Sequence, residues 1–220
     1  MTIEPRPGTP ATGITHLAPD LLERAALLSS ATVHEAGGKI GVMPWQIKPV
    51  HKHFRVCGPA VTVRSPGGDN LQLHRAIYEA EPGDVLVVHC EGKYDHGYWG
   101  EVMSTAAKVR RLGGLVIDGC VRDFELLNTV GFPVFARGQC IRGTVKDKTV
   151  TGVINIPVSF EDLTVRPGDL VIGDNDGVVV VPRDRVAEVV AASEKRDDDE
   201  VAICRRLEAG ETTLEIYNLG

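Results

Sequence analysis

The sequence predicts a single α/β domain, and three observations predict it. From Leu71 to Ala136, stretches with helical apolar spacing alternate with short aliphatic runs, the order expected of strands covered by helices. Aromatic residues are scarce at 5% while Gly numbers 24, which implies a core of branched aliphatics joined by tight turns. The 220 residues contain no internal linker, and a chain of this length buries a full core without disulfide or metal staples.

Residues 1–16 are rich in Pro, Gly and Thr and read as a loose N-terminal arm, leaving 17–220 as the folded domain. Over Ala18–Ala36, the apolar residues Leu21, Leu22, Ala25, Leu28 and Val33 recur at helical spacing. Two short helices fit, the second capped by Ser30 or Thr32 and ended by Gly37-Gly38. Arg55–Arg64 alternates as a strand, and Ser65–Asn70 is a turn. Leu71–Glu81 follows as a helix, with Asp69 or Asn70 as its cap. Val85–His89 is a buried strand. Glu101–Leu112 is helical to Gly113-Gly114, and Leu115–Asp118 is the next strand. Asp123–Val130 is a short helix, and Pro133–Ala136 another strand.

Beyond Gly143 the pattern changes to strands and turns. Thr144–Lys146, Val153–Ile156 and Leu170–Gly173 are strand candidates, and Asn175-Asp176-Gly177 is a hairpin turn into Val178–Val181. Asp184 suits the cap of a last helix, from Arg185 to about Ala209, stopped by Gly210. Pro82-Gly83-Asp84 and Pro167-Gly168-Asp169 repeat one another, which fits a common turn placed before a buried strand.

Composition narrows the function classes. A net charge of −6 without a basic block counts against nucleic-acid binding. The five cysteines are odd in number and form no CxxC pair, so a disulfide framework or zinc ribbon is not expected. Reduced thiols and the lack of a secretion signal point to the cytoplasm. No apolar run is long enough for a membrane span.

Two strand-to-helix junctions carry the chemistry. Arg122-Asp123 directly follows the strand ending near Asp118, where open α/β sheets place their sites. A carboxylate there binds a hard divalent cation, and an adjacent guanidinium holds a carboxylate or an enolate oxygen. Asp123 also suits a plain helix cap. Trp99-Gly100-Glu101-Val102-Met103 opens another helix, whose first N–H groups make an anion site; Glu101 is equally a first-turn residue favoured by the helix dipole. Asn70 is either a cap or a substrate donor. His34-Glu35 is open between a structural role and a site at a subunit contact. Spacing does not support a metal triad of His89, Asp95 and His96, and Lys93 and Lys108 lie in no apolar pocket signature of the kind a Schiff-base lysine needs, so both read as solvated.

Glu101, twenty residues, then Arg122-Asp123 is the pattern of a known family. The chain resembles the class II pyruvate aldolases acting on 4-hydroxy-4-methyl-2-oxoglutarate and 4-carboxy-4-hydroxy-2-oxoadipate, within a superfamily shared with the regulator of ribonuclease activity A. The better-known aldolases carry Asp where this chain has Glu101. The resemblance runs from Thr32 to Tyr217. It includes Thr32–Ala36, Gly58–Val63, Gly68–Leu71, His74, Leu115–Asp123, Arg142–Val145, Asp174–Pro182 and Gly210–Thr212.

That resemblance implies a β/β/α swivelling-type αββα sandwich. It implies Asp123 as the direct ligand of Mg²⁺ or Mn²⁺, with Glu101 and Glu200 of the partner subunit acting on the metal through water. Arg122 contacts the pyruvyl keto oxygen, and backbone N–H groups around Gly100, Glu101, Val102 and Met103 receive the pyruvate carboxylate. The implied activity releases pyruvate and a second keto acid through a pyruvate enolate, with oxaloacetate decarboxylation as a second outcome of the same enolate. It also implies a homotrimer or a hexamer of two trimers, in the degradation of aromatic compounds. Two alternatives stay open: a non-catalytic regulator that binds a ribonuclease, and a related lyase on another 2-oxo acid.

Overall fold

Nothing in the period-2 pattern of single strands shows which of them stack, so the layering is the first thing the structure adds. The computed structural model describes residues 17–149 and 152–220. The arm expected over 1–16 lies outside the described residues. The elements follow as α1 (Pro19–Leu27), α2 (Ser30–Ala36), β1 (Lys48–Pro49), β2 (Val56–Arg64), α3 (Leu71–Glu79), β3 (Val85–His89), α4 (Glu101–Val109), β4 (Gly114–Val121), α5 (Phe124–Val130) and β5 (Val134–Gln139). Then come β6 (Val153–Ile154), β7 (Val158–Phe160), β8 (Leu163–Val165), β9 (Leu170–Gly173), β10 (Val178–Val181), α6 (Val186–Glu208) and α7 (Thr213–Ile216).

The strands run in the order β1-β5-β4-β3-β2-β9-β10, with β6 beside the end of β2. β2 belongs to two layers. Its first part, Val56–Pro59, pairs antiparallel with β9; its second part, Ala60–Arg64, pairs parallel with β3. On β9 and β10, Leu170, Ile172, Val179 and Val181 pack under α1, α2 and α6 with Ala25, Val33, Val186 and Val189. Alternate residues Val171, Val178 and Val180 join the main core instead. The parallel strands β2–β5 are covered by α3, α4 and α5 through Leu73, Ala76, Ile77, Met103, Ala107 and Leu127. Helices, sheet, sheet, helices is thus the order of the layers, as the αββα expectation holds.

Several local expectations are corrected. Ser29, not Ser30 or Thr32, caps α2: its Oγ accepts the Thr32 N–H at 3.0 Å. Ser30 donates its N–H and hydroxyl to Asp174 instead, at 2.8 and 2.6 Å. Thr144–Lys146 is no strand. It makes a single bridge, Val145 to Asp69, because one ladder contact ties it to a loop rather than to a strand. Asp184 caps nothing; it lies in a 3-10 turn, Arg183–Arg185, and Arg185 holds the cap position of α6 without a side-chain cap bond. β1 and the β7–β8 hairpin are additional, each too short to show a period in sequence. The repeated turns are structural: Asp84 and Asp169 accept the N–H of Glu81 and Arg166, three residues back, at 2.8 and 2.7 Å.

Candidate active site

β2, β3 and β4 are parallel, so their carboxyl ends share one edge of the sheet, the place where open sheets bind ligands. The β4–β5 register shifts between Ile117 and Cys120, just before the chain leaves β4. Arg122 and Asp123 come next. Asp123 adopts φ 61°, ψ 38°, a left-handed conformation that Asp tolerates better than most residues but that still costs energy. It occupies the cap position of α5 without making a cap bond. Its carboxylate turns instead towards α4, where Oδ2 accepts the Glu101 N–H at 3.2 Å. Arg122 Nε lies 3.7 Å from the same oxygen, and the two side chains are 50% and 36% exposed.

Two glycines make room for this pair. A Cβ on Gly100 would collide with Asp123 Oδ2 and stand 3.2 Å from Arg122 Cγ. A Cβ on Gly97 would collide with the Cys140 carbonyl and stand 3.2 Å from Arg122 Cβ and Cδ. The segment between them is anchored from within. Tyr98 is fully buried; its hydroxyl accepts the Gly68 N–H at 2.7 Å and donates to the Lys93 carbonyl at 2.5 Å. Burial pushes that phenol well above its usual range. Trp99 Nε1 donates to Ser104 Oγ at 2.6 Å.

The third wall is a strap. The Val145 N–H donates to Gly68 O at 2.9 Å, the Asn70 N–H to Val145 O at 3.2 Å, and the Asp147 N–H to Asp69 Oδ2 at 2.6 Å. Asp69 Oδ1 also accepts the Leu71 N–H at 2.7 Å, so Asp69 joins the start of α3 to the strap. Asn70 holds the α3 cap position without a cap bond. The strap carries Thr144 and Lys146 to a cleft of about 370 Å³ that Asn70, His74, Gly100, Val102, Met103, Arg122 and Asp123 also line. His74 is held below its ordinary pKa, first by burial and then by Lys146, with Asp69 opposing. Two cations, a neutral imidazole and the first turn of α4 suit an anionic ligand.

Of the residues singled out in sequence, the structure therefore gathers Asn70, Gly100, Val102, Met103, Arg122 and Asp123 around one cleft. Glu101 starts α4 and reaches Asp123 through its backbone; its side chain is not among those lining the cleft. Glu200 lies on α6, paired with Arg196 at 2.8 Å, in a separate surface depression beside Asp197 and Cys204. His34 bonds the Ile40 carbonyl, His89 packs edge-on against Phe160, and His96 pairs with Asp95. Lys108 donates to the Val130 carbonyl. Gly97 and Lys146 were not singled out. The Gly-Tyr-Trp-Gly spacing is a signal for the first; the second is brought in by a non-local bridge that leaves no local mark.

Among the described residues no group of three His, Cys, Asp or Glu side chains could cage a metal. A hard cation such as Mg²⁺ needs no such cage, since it keeps most of its waters and binds through one or two carboxylates. Asp123 supplies such a carboxylate, part-exposed and facing the cleft. No described helix is long and apolar enough to cross a membrane.

The RraA-like family profile, described as Aldolase/RraA, matches residues 19–180. A Halalkalibacterium halodurans protein named "Putative 4-hydroxy-4-methyl-2-oxoglutarate aldolase" is 37% identical over 171 residues, 78% of this chain and 80% of the relative. Among solved structures, an uncharacterized protein of Pseudomonas syringae pv. tomato superposes with TM-score 0.81 at 28% identity, over 94% of this chain and 96% of that one. Streptomyces coelicolor RraAS2, described as an unusual member of the RNase ES inhibitor RraA family, gives 0.73 at 27%, over 84% and 96%.

Proposed function

The chain belongs to the RraA-like family, Aldolase/RraA, and from that premise we propose that it is a divalent-metal-dependent lyase. Its substrates are 4-hydroxy-2-oxo acids with two or three carboxylates, cleaved to pyruvate and a second keto acid. The observation that carries the reading is the Arg122–Asp123 pair, turned by a left-handed Asp123 against Gly100 and Glu101 at the mouth of a cationic cleft.

Asp123 would hold Mg²⁺ or Mn²⁺, with Glu101 and Glu200 of the partner subunit completing the acidic surroundings. A bound divalent cation supplies Lewis acidity for the enolate charge. The chain's own residues do the rest. The first-turn N–H groups of Val102 and Met103 have no preceding intrahelical acceptor and receive the pyruvyl carboxylate. Arg122 donates to the 2-oxo oxygen and stays charged as negative charge builds there. Cleavage breaks the bond between C3 and C4, leaving its electron pair on the pyruvyl half. The hydroxyl proton passes to a water that Glu101 orients, C4 leaves as a carbonyl, and the enolate takes up a proton at C3 and leaves as pyruvate. Oxaloacetate loses CO₂ through the same enolate, so decarboxylation is a second activity of the site. A cytoplasmic trimer or hexamer serving aromatic degradation is the setting this chemistry suits.

The test is pyruvate release by EDTA-stripped protein, offered 4-hydroxy-4-methyl-2-oxoglutarate, 4-carboxy-4-hydroxy-2-oxoadipate or oxaloacetate, with and without Mg²⁺ or Mn²⁺. Metal-restored release is expected. Arg122→Ala should abolish turnover with metal affinity kept, while Asp123→Asn should lose both. Absence of release from every substrate by the folded protein would favour the ribonuclease-binding alternative, which the likeness to RraAS2 keeps in view.

A further inference from the structure

Asn70, one of the residues lining the cleft, carries a polar atom for which the described residues provide no partner. Asn70 is 5% exposed. Its Nδ2 donates to the Tyr98 carbonyl at 2.9 Å and lies 3.6 Å from Met103 Sδ. A carbonyl oxygen only accepts, so this bond fixes which end of the amide is nitrogen. The other end, Oδ1, is buried with no hydrogen-bond partner among the described residues. Buried acceptors are nearly always matched, and an exception in a cleft marks where a ligand or water completes the bond. The Nδ2 donors face Tyr98 O and Met103 Sδ, so the function that Asn70 leaves free is an acceptor rather than the donor expected from sequence.

The chemistry of the neighbours says what that acceptor meets. Arg122, Lys146 and the first turn of α4 are donors, suited to the oxo and carboxylate oxygens of a keto acid. An alcohol proton needs an acceptor, and Asn70 Oδ1 has both lone pairs available. We propose that Asn70 Oδ1 accepts the hydrogen bond of the substrate's alcohol O–H, which makes Asn70 the residue that distinguishes hydroxylated 2-oxo acids from those without the hydroxyl. An amide cannot take the proton, so its role is to orient the hydroxyl for removal by another group. This rests on the lyase reading above and deepens it.

The experiment compares two reactions of the same metal-loaded protein: cleavage of 4-hydroxy-4-methyl-2-oxoglutarate, which carries the alcohol, and decarboxylation of oxaloacetate, which does not. Asn70→Leu removes the acceptor while keeping the branched shape of the side chain. The ratio of kcat/KM for cleavage to that for decarboxylation should fall on the order of tenfold to a hundredfold. Asn70→Asp keeps an oxygen at the position while losing the bond to Tyr98, and should lower the ratio less than Asn70→Leu. It also serves if thermal melting shows that the leucine variant does not fold. Equal losses in both reactions for both variants would overturn the proposal, because a merely structural Asn70 serves the two alike. A wild-type protein inactive on both substrates would instead sink the lyase reading, a result distinct from an active enzyme whose ratio does not move.

Discussion

At the residue scale the site depends on where one carboxylate points. Asp123 has an unfavourable backbone conformation, yet no cap bond to α5 compensates for it. The return is orientation: Oδ2 sits against the Glu101 N–H and Arg122. Gly100 permits this only because it has no side chain, since its backbone is extended and would suit any residue. Gly100→Ala should therefore displace the carboxylate rather than unfold the chain. Activity should fall about 100-fold, the cost of a misplacement near 1 Å, while the melting temperature stays close to wild type. A variant with full turnover would show that the Asp123 position is not critical. Sequence reasoning found Arg122 and Asp123 because both types are chemically distinctive at a strand end. It did not find the geometry, because a positive φ at Asp leaves no trace in composition.

At the scale of elements, short helices depend on what meets their ends. α2 is seven residues long, too short to be stable alone. The Asp174 carboxylate, arriving from the end of β9, accepts the Ser30 N–H and hydroxyl and the Asp176 N–H. Burial pushes the Asp174 carboxyl up, but these bonds and nearby Arg55 outweigh it, and the net shift is downward. A carboxyl whose folded pKa lies below its unfolded value near 3.9 stabilises the fold above that pH. The contribution fades as pH falls through the lower folded value. Asp174→Ala should cost about 1–2 kcal/mol at pH 7, as for a lost cap, and the difference from wild type should shrink in acid. Urea unfolding at pH 7 and pH 3 reads both; a difference independent of pH would remove charge from the explanation. The Asn-Asp-Gly turn after β9 was legible, since it is a local signal. The bond from Asp174 to a helix begun at Ser30 was not, because it spans 144 residues of sequence. The same holds for the strap: Thr144–Lys146 reads as a short strand in sequence, and only the fold shows that Val145 bridges a loop.

At the scale of the whole molecule, α6 reaches well past the part of it that its own chain covers. Its 23 residues span about 34 Å, yet its buried residues are Val186, Val189, Val190 and Ser193, all in the first half. Just beyond them it is pinned by Glu194, which accepts two bonds from Arg24 of α1 at 2.7 and 2.5 Å, and by Asp197, which accepts from Thr32 Oγ1 at 3.0 Å. Val201, Leu214, Tyr217 and Leu219 are then left more than half exposed on α6 and the segment after it. Glu200 stands at the start of this projecting part, not at the cleft of its own chain. If Glu200 serves a neighbouring cleft, as proposed, each site is made by two chains, and two defects on different chains can cancel. Alone, the Arg122→Ala protein should be inactive and the Glu200→Gln protein weakly active. Unfolded together and refolded as a mixture, they form contacts in which an intact Arg122 faces an intact Glu200. Random assembly of equal amounts predicts such a pairing at roughly a quarter of the sites in a cyclic oligomer. Pyruvate release should recover towards that fraction, and subunit mass by light scattering should be unchanged. Failure to recover, with oligomers formed, would return Glu200 to a surface role and leave the Arg122–Asp123 cleft to act within a single chain.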